Sequence, residues 1–339
     1  MTQVLVTGGS GFLASWCILA LLESGYEVRT TVRDLAREPD LRDRLHAAAD
    51  FDDARLRVVP ADLGSDDGWA EAVAECAYVL HVASPTLRHS VESEEAMVNT
   101  ARDGVLRVLR ASRDAGVRRV VLTSAIGAVA FGHAPRTAPF TEEDWTDLDA
   151  DLAPYQRSKT VAERAAWDFV AADGRGLELA AVNPVGVLGP VLGPDDPPSL
   201  RTIRAMLDGS MPATPPFGMS WVDVRDVADL HLLAMTDPAA AGQRWIASAD
   251  PGMRPIEIAR LLRERLGARA AKAPTRELPL WLARFLGSFN PQLRVLRPQL
   301  GRSFIASGAK ARQVLGWRPR PLAETIIDTA ESLLANGVR

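Results

Sequence analysis

Two rhythms of apolar and polar positions run through the first half of the chain. Short apolar runs at residues 4–6, 27–32, 57–60, 78–82, 120–123 and 179–182 have the length and flanking turn residues of buried strands. Between them lie stretches of helical spacing. In residues 12–24 Phe12, Leu13, Trp16, Ile18, Leu19 and Leu22 recur near a 3.6-residue period, and Gly25 closes the segment. Residues 66–74, 91–115 and 154–172 read as further helices. Repeated strand–helix–strand units predict a parallel sheet covered by helices on both faces, an α/β Rossmann-type doubly wound fold.

The second half loses this rhythm. Residues 184–216 are rich in proline and glycine and predict loops around a helix at 200–207. A short strand and helix at 221–235, a strand at 244–247 and helices at 255–266 and 322–334 follow. The expected organisation is a sheet domain over residues 1–183, to which 217–247 return. A smaller, interleaved C-terminal lobe for substrate is expected over 184–216 and 248–339.

The first strand runs directly into Thr7-Gly8-Gly9-Ser10-Gly11-Phe12-Leu13-Ala14, where a helix opens. This strand–turn–helix arrangement suits a dinucleotide. Glycine at Gly8 and Gly11 lets the backbone approach a pyrophosphate, small Ala14 lets the helix pack on the sheet, and the first helical N–H groups offer donors and a positive dipole end. The second strand would end in an acid if it held a free ribose. It ends Val32-Arg33-Asp34 instead. The planar fork of Arg33, with Arg37 close by in sequence, suits a 2′-phosphate, so the expected cofactor is NADP(H). Asp34 would reach a ribose if the register moved by one residue.

Tyr155 and Lys159 stand four apart in a predicted helix and therefore share a face. A phenol is a poor acid near neutrality, and a neighbouring ammonium favours the phenolate and lowers its pKa. Such a pair can protonate a reduced carbonyl oxygen or deprotonate an alcohol. Lys159 can also donate to ribose hydroxyls. Of 39 basic residues only Lys159, Lys272 and Lys310 are lysine, so a lysine kept at this spacing invites a chemical role.

The glycine turn and the Tyr155/Lys159 pair together resemble the extended short-chain dehydrogenase/reductase family. The stretch Gly25-Tyr26-Glu27-Val28-Arg29-Thr30-Thr31-Val32-Arg33-Asp34 is similar to its dihydroflavonol-4-reductase and cinnamoyl-CoA-reductase branch, which includes microbial NADPH-dependent aldehyde and ketone reductases. The resemblance extends to Asp62-Leu63, His81-Val82-Ala83-Ser84-Pro85, Asn183-Pro184-Val185-Gly186, Trp221-Val222-Asp223 and Leu315-Gly316-Trp317-Arg318-Pro319. It implies that Asp62 and Leu63 contact adenine, that Val82, Ala83 and Ser84 line the cofactor, and that Pro184 lies near the nicotinamide. It also implies a catalytic serine after the fifth strand, where this chain reads Thr123-Ser124-Ala125-Ile126. The matching position is Ala125. Three arrangements are open: a bulged strand end that presents Ser124 to substrate, another hydroxyl or a water in its place, or weak or absent carbonyl reduction.

Composition narrows the partners. Net charge is −4 with no basic face, which argues against nucleic acid. No apolar run approaches a membrane span, and no Cys/His cluster has metal-ligand spacing. Cys17 and Cys76 sit in apolar patterns, as buried free thiols would in a reducing, cytoplasmic setting. His81 reads as a buried structural residue, His89 and His231 have no metal-ligand spacing, and His133 is a candidate for the pocket. Five of the eight tryptophans, Trp145, Trp167, Trp221, Trp281 and Trp317, read as packing, with Trp221 also within reach of substrate. Met206, Met211, Phe217 and Met219 would make an apolar site if they face inward.

The expected protein is an NADPH-dependent reductase of a small, partly apolar aldehyde or ketone, a monomer or homodimer. Tyr155 donates the proton, Lys159 supports it, and Ser124 or a substitute orients the carbonyl. The alternatives are an NAD-dependent sugar-nucleotide epimerase or dehydratase, which would call for an acid after the second strand, and a non-catalytic NADP(H) sensor.

Overall fold

A computed structural model of the protein describes residues 1–85, 93–193, 197–289 and 299–338. Seven parallel strands form the central sheet: β1 (Gln3–Val6), β2 (Glu27–Val32), β3 (Leu56–Pro60), β4 (Tyr78–His81), β5 (Arg119–Thr123), β6 (Glu178–Pro184) and the late strand β10 (Arg244–Ala247). Their spatial order is β10-β6-β5-β4-β1-β2-β3. The chain thus starts beside the central strand β4, builds outward on one side through β2 and β3, then reverses to build the other side. This reversal beside β1 is the switch point where such sheets bind ligands at the carboxyl ends of their strands.

The alternation of side chains explains why both faces are covered. Val4 and Val6 of β1, Leu80, Val121 and Val182 enter one core, with α1 (Phe12–Glu23) and α7 (Val224–Thr236). Their neighbours Leu5, Val79, Val120, Leu122 and Leu179 enter the other, with α3 (Trp69–Val73), α4 (Glu94–Asp114) and α5 (Pro154–Asp173). The expected start of α4 at residues 91 and 92 lies outside the described residues. The helix there begins at Glu94, capped by Ser93 Oγ accepting from the Ala96 N–H at 3.1 Å.

Three helices have no counterpart in the sequence expectation, two of them the short segments Leu280–Leu286 and Ala309–Val314. The third, α2 (Glu38–Ala48), carries a single buried apolar stripe, Leu41 and Leu45, in an otherwise charged segment, too few apolar positions to register a period. Its signals are local: Pro39 in the first turn and a Glu38–Arg42 ion pair at i, i+4.

The later chain builds a second body while returning strands to the first. Short β7 (Gly186–Leu188) pairs with β9 (Trp221–Asp223), and β8 (Gly218–Met219) pairs with β11 (Ser303–Phe304). A third core joins α6 (Arg201–Asp208), α8 (Pro255–Leu266) and the last helix, α11 (Leu322–Ala335), through Leu207, Trp221, Leu262 and Ile326. Met206 is fully buried in this core, with Met211 and Met219 packed against it. Residues after 248 also reach back: α10 (Ala309–Val314) and Trp317 pack in the core of α1 and α7, and Trp317 Nε1 donates to the Asp226 carbonyl at 2.8 Å.

Two tryptophan expectations need correction. Trp281 is 71% exposed, because the seven-residue helix α9 (Leu280–Leu286) buries little beyond Ala283. Trp221 is buried; its indole N–H donates to the Met253 carbonyl and its ring closes on Gly186, so it packs the lobe. Among the described residues, no helix is long and apolar enough to cross a membrane.

Candidate active site

The glycine turn is held from behind. Thr7 is buried, and its Oγ1 accepts from the Ala83 N–H at 2.9 Å and bonds His81 Nδ1 at 2.9 Å. The Gly8 N–H donates to Thr31 Oγ1. Gly8 has φ +73°, and a Cβ there would lie 3.0 Å from Ala83 Cβ; at Gly9 it would lie 2.2 Å from Thr30 Oγ1. These two glycines are therefore demanded by the protein's own packing. Gly11 differs: it is exposed, its φ is −84°, and its Cβ would meet nothing but the Gly8 carbonyl oxygen, at 3.2 Å. What Gly11 keeps open is the space before the first turn of α1, where no side chain caps the helix and no acid stands. That opening fits a pyrophosphate.

The end of β2 supports the phosphate reading. Val32 is buried. The side chains of Arg33 and Arg37 are exposed and carry no hydrogen bond or ion pair among the described residues. Asp34 is already engaged, accepting from the Ala36 N–H at 2.9 Å. Asp62 is exposed and accepts from the Gly64 N–H, while Leu63 packs against Gly104 of α4. Val82, Ala83 and Ser84 leave β4 half-buried beside the turn, and Pro184 ends β6, buried. The residues expected to hold the cofactor thus follow the carboxyl ends of β1 to β4 and β6.

Tyr155 and Lys159 lie on the first turns of α5, which starts at Pro154. Lys159 is buried and its Nζ donates to the Thr123 carbonyl at 3.1 Å. Burial lowers its pKa from the usual lysine value to about 8, against the opposing pull of Glu163. Tyr155 is 40% exposed, with its ring edge over Gly127. The expectation that Lys159 would depress the phenol is corrected here. Burial pushes Tyr155 up to about 12, although part of its surface stays exposed, and the ammonium is turned to Thr123. A small cavity, with room for about one water, lies beside Lys159, and its walls include Leu63, Ala83, Ser84, Ser124, Lys159 and Glu163.

Ser124 is buried, and its single hydroxyl proton is donated to Glu163 Oε2 at 2.5 Å. Thr123 is committed too. His231 Nδ1 faces the Val227 carbonyl at 2.7 Å, so that nitrogen carries the proton and Nε2 accepts from Thr123 Oγ1 at 2.7 Å. Ala125, with an extended backbone, accepts at its carbonyl from Asn183 Nδ2. His133 does not present a free ring nitrogen on Nε2, which bonds the Val129 carbonyl at 3.0 Å, and its ring lies against Phe140. His89 lies outside the described residues.

Sequence reasoning missed the group at the centre of this cluster. Glu163 is fully buried and accepts from Ser124, from Asn183 Nδ2 at 2.8 Å, from Arg244 Nε at 2.7 Å and, at 3.4 Å, from Trp167 Nε1. Arg244 also donates to the Glu142 and Asp144 carbonyls and stacks on Trp145. The signal was the continuation of the spacing, Tyr155-x-x-x-Lys159-x-x-x-Glu163, which puts a carboxylate one turn beyond the lysine.

The buried histidines carry a stability prediction. Burial lowers His231 to about 4 and His81 to about 3, so both are neutral in the fold. Below the unfolded value near 6.5 the unfolded chain binds protons that the fold refuses, and stability falls with pH. For His231 the loss between pH 7 and pH 4 is about 3 kcal/mol. Urea midpoints should fall across this range, and His231→Asn should flatten the decline. An unchanged slope in the variant would contradict it.

Similarity to known proteins points the same way. The family model described as NAD dependent epimerase/dehydratase family matches residues 4–247. The chain is 34% identical over 267 residues to cinnamoyl-CoA reductase CAD2 of Medicago truncatula, covering 77% of this chain and 80% of that one. It is 34% identical over 270 residues to dihydroflavonol 4-reductase of Zea mays, covering 77% and 74%. Yeast methylglyoxal/isovaleraldehyde reductase Gre2, solved with NADPH, superposes with a TM-score of 0.81 at 26% identity over 98% of both chains.

Proposed function

We propose, for a chain that belongs to the NAD dependent epimerase/dehydratase family and so to the extended short-chain dehydrogenases/reductases, an NADPH-dependent reduction of small, partly apolar aldehydes or ketones. The chain is an NADP-dependent oxidoreductase, and its curated relatives are named reductases. The observation that carries the proposal is the strand order β5-β4-β1, which puts the glycine turn after β1 and Lys159, bonded to the Thr123 carbonyl at the end of β5 and one turn from Tyr155, at the same carboxyl edge of the sheet.

Each residue has a task the geometry allows. Gly11 and the uncapped start of α1 would hold the pyrophosphate, and Arg33 with Arg37 the 2′-phosphate. Bound NADPH supplies the hydride. The Tyr155 phenol, neutral because its pKa is raised, donates the proton to the product oxygen. The Lys159 ammonium, one helical turn on, would donate to the nicotinamide ribose hydroxyls. Residues 1–183 and 217–247 would carry the cofactor, and 184–216 and 248–339 would close over substrate.

The alternative of a sugar-nucleotide epimerase or dehydratase holding NAD would call for an acid where buried Val32 and exposed Arg33 stand. A non-catalytic sensor would have no use for the Tyr155/Lys159 pair. Following NADPH absorbance with a panel of aryl aldehydes and β-keto esters tests the reading. Turnover with NADPH, and weaker turnover with NADH, is expected; tight NADPH binding with no carbonyl turned over would favour the sensor. The Arg33→Ala variant should lose about tenfold or more in kcat/KM for NADPH and little for NADH, the loss of one charged hydrogen bond. Equal effects on both cofactors would remove Arg33 from the phosphate site.

A further inference from the structure

We propose that Glu163 is a positioning residue for the reduction: its buried carboxylate, one helical turn beyond Lys159 and in the wall of the same cavity, is the anionic partner of the Lys159 ammonium, while pinning Ser124 and Asn183. The proposal rests on the reductase reading above.

The placement is specific. Glu163 is fully enclosed, and besides Trp167 of its own helix its partners are donors from three other parts of the fold: Ser124 just beyond the end of β5, Asn183 in β6 and Arg244 in β10. Its oxygens accept from two guanidinium nitrogens, an amide and a hydroxyl, so each of these partners presents a proton to it. It therefore puts a negative charge into the wall of the cavity beside Lys159. Lys159 has no direct ion pair among the described residues; its Nζ has the neutral Thr123 carbonyl. The groups around it are otherwise uncharged or apolar. His81 of β4 is held neutral by burial, the Tyr155 phenol is neutral, His231 of α7 reaches Thr123 as a neutral ring, and α4 offers Ala101 and Val105. Arg244 comes to the carboxylate from β10 and offsets part of that charge. Glu163 is the anion that opposes desolvation of this lysine, whose pKa stands at about 8.

The scarcity of lysine makes the test direct. With ¹³Cε-lysine labelling the protein gives signals from Lys159, Lys272 and Lys310 alone, and Lys159→Arg identifies the one of interest. In the cofactor-free protein, Lys159 should titrate near pH 8, and Glu163→Gln should lower that midpoint by at least about one pH unit, the scale of losing a nearby opposite charge. Glu163→Asp, which keeps the charge, should stay near the parent value. Because Glu163→Gln strands Arg244, the paired Glu163→Gln/Arg244→Gln variant is measured beside it and should show a smaller fall in the same direction. In the assay, the alkaline limb of the kcat profile should move to lower pH in step with the titration. A Lys159 midpoint that does not move in a folded variant overturns the proposal. Because the titration uses neither substrate nor cofactor, it decides this point even if no carbonyl is reduced and the reductase reading fails.

Discussion

Tyr155→Phe is expected to lower kcat for carbonyl reduction by about 10²–10⁴, the range a positioned proton donor contributes. The hydroxyl is the sole polar atom of the side chain, and the ring edge over Gly127 does not depend on it, so the fold should be retained. NADPH affinity should change little, since the groups that would hold the phosphates lie at Gly11, Arg33 and Arg37. Parent and variant are compared by steady-state NADPH oxidation with one aldehyde, together with NADPH titration by fluorescence. The pH dependence adds a second check. The parent phenol stays protonated far above neutrality, with a pKa near 12, so Tyr155 sets no limb between pH 6 and 9. A falling limb in that range belongs instead to Lys159, whose charge is lost as pH rises through about 8. Reductase activity of Tyr155→Phe equal to the parent's would remove Tyr155 from proton transfer.

How much of this was legible beforehand follows from the range of the interactions. Helices with one apolar face, such as α4, α6 and α8, were readable because their apolar spacing records which face is buried, and β1 and α1 because they are apolar nearly throughout. The glycine turn was readable because its backbone geometry restricts residue type at consecutive positions. Gly9, which the sequence reading did not single out, turns out as constrained as Gly8, because Thr30 of the adjacent strand fills the space where its side chain would be. That contact is set by strand pairing and leaves no local trace. The same holds for Glu163. Its helix position follows from spacing, but apart from Trp167 its partners are 20 to 81 residues away in sequence and meet through the strand order. The pKa of Tyr155 was expected to fall because the pair shares a helix face. Lys159 satisfies its ammonium at the Thr123 carbonyl instead, a choice that depends on where β5 ends.

The last expected result concerns the position where the family resemblance would put a serine. The hydroxyl protons at the end of β5 are committed, Thr123 to His231 and Ser124 to Glu163, and Ala125 has none to give. Proton donation to a substrate oxygen then falls to Tyr155. Ala125→Ser adds a hydroxyl at a buried residue whose backbone is extended, with φ −163° and ψ 163°, a conformation serine adopts without strain. One well-placed donor to a developing oxyanion is worth about 10²–10³ in rate, so kcat should rise, by up to about 10²-fold where the new hydroxyl reaches the carbonyl oxygen. Substrate KM should move less, since the bond strengthens as charge develops on the oxygen. Ser124→Ala measured alongside separates the two neighbours. Its hydroxyl serves Glu163, so its loss should lower kcat less than about tenfold, far short of removing an oxyanion donor. A fall of about 10³ in Ser124→Ala, with no gain in Ala125→Ser, would instead mean that the strand end rearranges in the working enzyme and turns Ser124 from Glu163 to the substrate.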